Sequence, residues 1–407
     1  MLQRQTCPKG AQGLAWGTSD MRFGRDAPAV LIAATVVVVS ALGALSYMLF
    51  NSLTDAVERG QFQLMQSIVD GALRDAENKA LARAEMVAGL PATKRLMATR
   101  DRDGLIAEYG AMFAGQKARH GVDQAQFHVP PATSLLRLNN PALFGDDLSR
   151  SRPMVVAANR ERASRKGFAI ARSGPAIFGV APISDAAGTA LGSFEIGLDF
   201  GPLLAALKSA HGLDLALFVE GPPLRELATG ADPAKLGEQN QVGRFVRFSA
   251  TNATLLQPLV TAADLAAVNA PAHYTRETQG NFYGVLLLPL KNADGVSLGV
   301  IAAARDFNGT RIAAGESLVW QICFSLIAIV LLSGLILIVI RGFLLAPLKQ
   351  VGARLAALSA GEAAEPMDDT SVYPAEMRTI LGFYERIRAR MSRADARTPA
   401  SRPGSHP

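Results

Sequence analysis

Two long apolar runs without charged residues divide the chain into a middle section and two ends. They cover residues 28–50 and 318–340, about 23 residues each, and at 1.5 Å per helical residue either run can cross a hydrocarbon core of about 30 Å. We therefore predict transmembrane helices over residues 28–50 and 317–341. The length of the first run favours an uncleaved anchor over a signal peptide, whose apolar core is shorter.

Basic residues lie on the outer flank of each predicted span. By the positive-inside rule they place both termini in the cytoplasm and residues 51–316 on the outer side of the membrane. Residues 1–27 are predicted to be a cytoplasmic tail, and residues 394–407, which are rich in Arg, Ser and Pro, a disordered end. The residues that set this orientation are Arg4, Lys9, Arg22, Arg25, Arg341, Lys349 and Arg354.

The section after the first span has a helical period. Apolar residues recur at steps of three and four, which predicts one buried helix face. Pro91 and the polar cluster 101–104 interrupt this pattern, so we predict a helical stalk over residues 51–118 with one break and a further helix. The predicted face consists of Leu53, Val57, Gly60, Leu64 and Ile68.

From about residue 125 short apolar or alternating runs replace the helical pattern. Each run is bounded by Gly, Pro, Asp or Asn, as strands and their turns are. The predicted strands are 168–171, 177–183, 191–198, 213–219, 243–248, 282–290 and 298–304.

One phrase occurs twice among these runs. Residues 180–196 and residues 288–302 each contain an apolar strand with a proline, a tight turn with Asp and Gly, and a second strand that begins with Leu-Gly. An internal duplication of an antiparallel-sheet unit explains this most simply. The middle section is therefore predicted to be α+β, with a distal module over about 119–205 and a proximal module over about 206–312.

The segment after the second span carries two heptad stripes. Their steps of three and four are typical of coiled coils, and one chain cannot bury both seams, so we predict a homodimer. The first stripe is Leu344, Leu348, Val351, Leu355 and Leu358, and the second is Met377, Ile380, Tyr384, Ile387 and Met391.

Composition narrows the class of protein. The 407 residues are 49% apolar and 19% charged, which fits a mixed membrane and soluble architecture. The net charge is +6, yet no Lys/Arg run interleaved with aromatic residues indicates nucleic-acid binding. Cys7 and Cys323 both lie outside the middle section, which must therefore fold without disulfides.

Enzyme motifs are absent from the sequence. It has no Gly-x-Ser-x-Gly elbow, no His-Glu-x-x-His, no Gly-rich phosphate loop and no Cys-x-x-Cys. We therefore predict a protein that is not an enzyme, with no catalytic residues, no metal and no cofactor.

The segment 342–393 resembles a HAMP linker, the dimeric four-helix signal converter that follows a membrane span in bacterial receptors. The resemblance is carried by Pro347, Gly361, Glu362 and Glu376. It implies that these four residues take part in signal transmission.

The middle section resembles the double Cache sensor domains of chemoreceptors and two-component sensor kinases over about residues 60–310. It implies two PAS-like sheet modules on a long helix and an external ligand site. In one departure, Phe178 stands where members often carry an arginine, which puts a shared contact with an anionic ligand in doubt. The matching blocks are 127–137, 144–149 with Arg152, 179–182 and 192–195.

Candidate ligand contacts lie in three places. The first is an extended block around Pro130-Pro131, where an arginine offers a planar fork for a carboxylate. The second is a loop just past a strand, and the third is the corresponding region of the second copy. The candidates are His128, Thr133, Ser134 and Arg137, then Arg172, and finally His273 and Arg276.

Each candidate also has a purely structural interpretation. Arg137 can form an ion pair with Asp146 or Asp147 and hold a structural loop, and Arg172 can be a solvated turn residue. His273 and Arg276 can be ordinary surface residues.

Together with the two predicted spans, these resemblances imply a transmembrane receptor for signal transduction or chemotaxis in a bacterial inner membrane, with residues 51–316 in the periplasm. Its external domain would bind a small solute or a periplasmic protein, and its tail would transmit the signal to a separate cytoplasmic partner. A truncated chemoreceptor or sensor kinase without its output domain is an alternative. A structural or adhesive membrane protein and an extracytoplasmic enzyme are the alternatives from other classes.

Overall fold

A computed structural model describes residues 23–360, Pro366 and 375–395. They form two compact units, a middle unit of Ser52–Ala314 and a terminal unit of Met1–Asn51 with Gly315–Pro407. The described part of the chain does not include Gly361, Glu362 or the side chain of Glu376. It also leaves out residues 1–22 of the predicted tail 1–27 and residues 396–407 of the predicted tail 394–407.

Three helices precede the first sheet: α1 (Phe23–Gly89), α2 (Pro91–Ala98) and α3 (Arg102–His120). Leu90 has an extended backbone, and Pro91 occupies the first turn of α2, where its missing N–H has no consequence. Asp101 Oδ1 accepts a hydrogen bond of 2.9 Å from the Gly104 N–H and caps α3. Residues 51–118 are thus helical over most of their length, with interruptions at Leu90 and between Ala98 and Arg102.

The buried face of α1 is not the one predicted. The predicted stripe from Leu53 to Leu64 is exposed, and small side chains on another face let the first sheet approach closely. Gly179 of that sheet lies against the α1 backbone at Ala80 and Leu81, where any Cβ would clash. The buried face consists of Phe62, Met65, Val69, Ala76, Ala80, Ala84 and Val87.

The first module contains a five-stranded antiparallel sheet in the order β2-β1-β5-β4-β3. Helix α4 (Pro153–Glu161) packs against this sheet, and α5 (Phe200–His211) leads to the second module. The strands are β1 (Val122–Val129), β2 (Thr133–Arg137), β3 (Arg165–Ala171), β4 (Gly174–Ser184) and β5 (Ala190–Asp199).

The second module contains a six-stranded antiparallel sheet in the order β7-β8-β6-β11-β10-β9. Its strands are β6 (Asp214–Glu220), β7 (Gln241–Val242), β8 (Phe245–Ala250), β9 (Ala272–Thr278), β10 (Asn281–Lys291) and β11 (Ser297–Asp306). Its helices are α6 (Gly221–Leu227), α7 (Pro233–Leu236), α8 (Ala253–Leu259) and α9 (Ala262–Ala266), with a 3₁₀ turn at Glu238–Asn240.

The two sheets have the same topology once the two-residue strand β7 is set aside. Strands β2-β1-β5-β4-β3 correspond in order to β8-β6-β11-β10-β9, which confirms the predicted duplication of an antiparallel unit. All seven predicted runs overlap observed strands. Four strands lie outside those runs: the two-residue strand β7, which is too short to show a pattern, and β1, β2 and β9, whose polar residues hide the apolar alternation that marks a strand.

The described residues include two helical stretches long and apolar enough to cross a membrane, Asp26–Gly89, which begins in the terminal unit and continues into the middle unit, and Gly315–Ala357 of the terminal unit. They include the predicted spans, and within this unit Gln321 Nε2 donates a hydrogen bond of 2.6 Å to the Gly43 carbonyl. Helix α10 (Asn308–Ile338) continues through a π-helical turn (Val339–Leu345) into α11 (Ala346–Ser359), and α12 (Ala375–Asp395) follows.

The two predicted heptad stripes are only partly buried within the single chain. Val351 of α11 and Tyr384 of α12 are buried, and Pro347 is buried in the first turn of α11. Five other stripe residues are exposed: Leu348, Leu355, Ile380, Ile387 and Met391.

Candidate functional site

A cavity of about 430 Å³ lies against the first sheet. Its walls come from β1, the end of β2 and the loop after it, the residues just before α4, the end of β3, and the end of α6 of the second module with the turn that follows. The lining includes Gln124, Gln126, Arg137, Asp146, Arg152, Arg172, Glu226, Leu227 and Thr229.

Polar side chains alternate along the two central strands behind this cavity. Gln124, Gln126 and His128 occupy alternate positions on β1, so they share one face of the sheet. On β5, Ser193 pairs with His128 and Glu195 pairs with Gln126. All five are buried, which is unusual for such residues and requires partners or a ligand.

The same positions of the second sheet are apolar. By strand register, Ala216 and Phe218 of β6 correspond to Gln126 and His128, and their partners on β11 are Ala302 and Val300. These side chains belong to a packed cluster with Leu256 of α8 and Leu265 of α9. The second module therefore fills with apolar side chains the position where the first has polar groups and a cavity.

Arg137 forms a bidentate ion pair with Asp146. Its Nη1 and Nη2 donate to the two carboxylate oxygens at 2.7 and 2.6 Å, and Nη1 also donates to the Leu143 carbonyl at 2.9 Å. The Arg137 hydrogen bonds hold the pKa of Asp146 below its usual range. The predicted structural pairing is thus confirmed, and both side chains also line the cavity.

Arg152 and Glu195 form a second ion pair that is almost fully buried. The side chains are 6% and 1% exposed, and Arg152 Nη2 donates to Glu195 Oε1. Burial raises the pKa of the Glu195 carboxyl although the Arg152 charge opposes this. Arg152 Nη1 and Glu195 Oε2 have no hydrogen-bond partner among the described residues.

The guanidinium of Arg152 also lies 4.0 Å from the centroid of the Phe178 ring. A cation therefore occupies the space beside Phe178, the position at which the sequence departs from the double Cache pattern. Arg152 was not among the predicted contacts. A comparison of the duplicated phrases would have pointed to its partner, because Glu195 of the first copy matches Ala302 of the second.

His128 is fully buried and does not belong to the cavity lining formed by the described residues. Neither ring nitrogen makes a hydrogen bond of good geometry to a described group. Burial and the charges of Arg152 and Arg137 lower the pKa of His128 to about 3, so the ring is neutral at ordinary pH.

Thr133 and Ser134 belong to β2, beside His128. Ser134 Oγ accepts a hydrogen bond of 2.8 Å from Gln126 Nε2, which fixes that amide at the cavity wall. Thr133 pairs with Val129 across the two strands and is half-buried. Thr133 and Ser134 are not among the described residues that line the cavity. Ser134 supports the site indirectly, through its hydrogen bond to Gln126.

Arg172 lines the cavity at the end of β3. Its side chain is exposed and has no hydrogen bond or ion pair within the described ranges. Its carbonyl accepts a hydrogen bond of 2.9 Å from the Gly230 N–H, which ties the first module to the segment after α6.

His273 and Arg276 lie elsewhere, on strand β9 of the second sheet. Arg276 pairs with Asp264 at 2.7 and 3.1 Å, and although burial opposes the shift, these hydrogen bonds lower the pKa of Asp264 to about 2. The His273 ring lies 4.4 Å from that of Phe62 on α1. Arg276 thus makes its contacts within the second module, and His273 contacts α1.

Metal binding has no support in the described part of the chain, where no group of three or more His, Cys, Asp or Glu residues is arranged to hold an ion. The cavity instead offers hydrogen-bond donors. Arg152 Nη1 and Gln124 Nε2 are buried without a partner among the described groups, and the Arg172 guanidinium lies at the same cavity. The arrangement is chemically suited to a small solute that accepts hydrogen bonds.

Solved structures of several sensor domains are similar to this chain. The ligand-binding domain of the Campylobacter jejuni chemoreceptor Tlp3, in complex with 4-methylisoleucine, is 12% identical, with 67% of this chain and 93% of that one covered and a TM-score of 0.31. The sensor domain of the Vibrio cholerae histidine kinase DctB is 9% identical, with 60% and 97% covered and a TM-score of 0.35.

The Vibrio cholerae LuxQ periplasmic domain is 13% identical, with 60% of this chain and 95% of that one covered and a TM-score of 0.31. A search of curated protein sequences found no match.

A family model covers more than half of the chain. It describes the double sensory domain of two-component sensor kinases, a double Cache family, and it matches residues 60–307. The matched range contains α2–α9, both sheets and most of the buried face of α1. The chain therefore belongs to the family of double sensory domains of two-component sensor kinases.

Proposed function

We propose that the chain is a two-pass receptor of a bacterial inner membrane, with its middle unit in the periplasm and both termini in the cytoplasm. Two helical stretches of sufficient length and apolarity support two passes. The basic residues on the outer flanks of both runs support the orientation. The sensory family of residues 60–307 supports reception of a signal outside the cell.

The signal is a small solute that binds in the cavity of the first module. The observation that carries this is the contrast between two sheets of equal topology, one with a polar buried face and a cavity, the other packed with apolar side chains. Apolar packing is often as stabilising as a buried ion pair, or more so. A polar face kept in only one of two duplicated sheets is therefore best explained by binding.

The chemistry of the cavity favours a solute with a carboxylate group. Arg137 and Arg152 already face Asp146 and Glu195, so their charges are matched. The donors left over are Arg152 Nη1, Gln124 Nε2 and the Arg172 guanidinium, all of which can bind a carboxylate oxygen. Glu226 at the same cavity is exposed to solvent, where its charge is screened.

Transmission requires the solute to favour one of two receptor states. A shift from 1:99 to 99:1 needs a difference in binding free energy of about 5.5 kcal/mol. Hydrogen bonds to charged groups contribute about 1.5–3 kcal/mol each, so two or three contacts that differ between the states are enough.

The receptor acts as a homodimer whose tail is a HAMP module read by a cytoplasmic partner. Exposed apolar stripes support a second copy, both on α1 and on α11 and α12. Pro347, Gly361, Glu362 and Glu376 are the proposed transmission residues of that module.

Thermal unfolding of the full chain in detergent micelles tests the binding proposal. The panel consists of small carboxylates, each beside its primary amide, together with amines, sugars and purines. We expect at least one carboxylate to raise the melting temperature as RT ln(1 + [L]/Kd) requires, and more than its amide does.

Two matched tryptophan variants locate the site. Thr229→Trp fills the cavity from an exposed position, and Thr254→Trp alters a shallow pocket of the second module from an equally exposed one. Only Thr229→Trp should remove the response. A response that both variants leave intact contradicts the assigned site, absence of any response contradicts solute sensing, and turnover of a solute would identify an enzyme.

A further inference from the structure

One wall of the cavity belongs to the second module. Glu226, Leu227, Thr229 and Gly230 line it, and they lie at the end of α6 and in the turn that follows. The other lining residues come from the first module. An occupant of the cavity would therefore contact both modules at once.

This wall contacts the first module at Arg172. The Gly230 N–H donates to the Arg172 carbonyl at 2.9 Å, and a Cβ at residue 230 would meet the Arg172 side chain at 3.2 Å. The anchor on the other side is Leu224 of α6, which is fully buried. Within the segment 226–230 Ala228 is also buried, whereas Leu227 is half-buried and Glu226, Thr229 and Gly230 are exposed.

A second, smaller cavity of about 150 Å³ lies behind the wall. Leu227 lines both cavities, as do Ser151, Arg152 and Ile170. The far side of the small cavity is the β10–β11 turn at Asn292, Ala293 and Asp294. A side chain with empty space behind it can shift, whereas one in close-packed surroundings cannot.

The wall and the β10–β11 turn are both connected to strand β11. Strand β6 enters α6 directly, and it pairs with β11 from Asp214 to Val219. The β10–β11 turn enters β11 at the same end at which β6 enters α6, because Val219 pairs with Gly299. After β11 comes Phe307, which packs at 5.1 Å on Phe62 of α1, and then Arg311, which forms a bidentate ion pair with Glu58 of α1.

We infer that residues 226–230 are a movable wall of the solute site, and that Leu227 transmits occupancy of the cavity to the β10–β11 turn through the small cavity behind it. This inference rests on the proposed function, since it concerns how that site is read. Leu227 acts here as a positioning residue.

Hydrogen exchange of the full chain in detergent micelles tests this without any solute. Thr229→Trp serves as a built-in occupant that presses on the wall from the cavity side. We expect amide exchange in residues 292–300 to change about threefold or more, together with exchange in residues 226–232. Gly230→Ala, which crowds Arg172, provides a second perturbation should the tryptophan variant fold poorly.

The decisive step is to fill the space behind the wall. Ala293→Phe occupies the small cavity, so the effect of Thr229→Trp on residues 292–300 should disappear in the double variant. The matched control is Ala187→Phe, at the exposed turn of the equivalent β4–β5 hairpin, and it should leave that effect intact.

A change confined to residues 226–232, or one that adds independently to that of Ala293→Phe, would overturn the movable wall. Such a result would leave solute binding untouched, because binding is measured separately by thermal shift. Conversely, failure of every solute to bind would refute the proposed function even if the exchange experiment gave the expected coupling.

Discussion

At the residue scale, the molecule is distinguished by charges that it buries beside a cavity. Arg152 and Glu195 are both more than nine-tenths buried, and each keeps one polar atom without a partner among the described residues. The duplicate sheet has Ala302 at the position of Glu195 and needs no such pair. The pair is therefore not required by the sheet topology, and we propose that the solute site requires it.

A double-mutant cycle on this pair separates stability from binding. Arg152→Met or Glu195→Ala alone should lower the free energy of unfolding by about 3 kcal/mol, because each leaves a buried group without its partner. The double variant should recover most of that loss and yet lose the solute response. Urea unfolding of the full chain in micelles measures the cycle, and losses that simply add would contradict it.

The buried histidine gives a prediction about pH. With a pKa of about 3 in the folded chain and 6.5 as the ordinary value, His128 is neutral in the folded chain at pH 7 and mostly neutral in the unfolded chain. Between these values the unfolded chain binds a proton that the folded chain does not. The free energy of unfolding should therefore fall by up to about 1.4 kcal/mol per pH unit as the pH drops from about 6 to 4.

His128→Gln removes the titrating group and keeps a polar side chain. Its unfolding free energy should fall less steeply than that of the wild type over the same pH range, while the slope from the carboxylates remains in both. Equal slopes would mean that His128 is already protonated, or solvated, in the folded chain.

The sequence predicted part of this site. The Arg137–Asp146 pair was accessible from spacing, because both residues carry charge within one short extended block. The roles of Gln124 and Arg152 could not be predicted. A single polar residue in a strand, or before a helix, looks like a surface position until its neighbours in the fold are known. Only register places Gln126 beside Glu195.

At the element scale, periodicity identified α1 but chose the wrong face. The leucines and valines at steps of three and four stand out, yet the sheet packs on a face rich in alanine. Small residues let the sheet approach the helix closely, but they are only weakly hydrophobic. A search for large apolar residues at helical spacing therefore does not identify the face on which they lie. The exposed stripe is then free to meet a second copy.

Replacing Val57 and Leu64 by glutamate tests that role. Both side chains are exposed in the single chain, so the fold should tolerate the change while the charges oppose dimerisation. Sedimentation in detergent should give a dimer dissociation constant raised tenfold or more. The control places glutamate at Ala56 and Gln63, exposed positions of equal spacing on the same helix, and an equal effect there would exclude the stripe as the interface.

At the scale of the whole molecule, the two copies of the sheet unit differ in the chemistry of their buried faces. One copy keeps a polar face and a cavity, and the other has an apolar core and continues into α10. The repeated phrase predicted the duplication because hairpins are local. The difference between the two buried faces was not predictable, since it depends on which helices cover each sheet.

The orientation of this molecule across the membrane is tested most directly by cysteine labelling. In a chain with Cys7 and Cys323 replaced by serine, one variant carries Ala187→Cys in the β4–β5 turn and another Ser359→Cys at the end of α11, both at exposed positions. We expect a membrane-impermeant maleimide to label residue 187 in spheroplasts, and residue 359 only after the membrane is permeabilised. Equal labelling of both residues in intact spheroplasts would contradict an external sensor that reports to the cytoplasm.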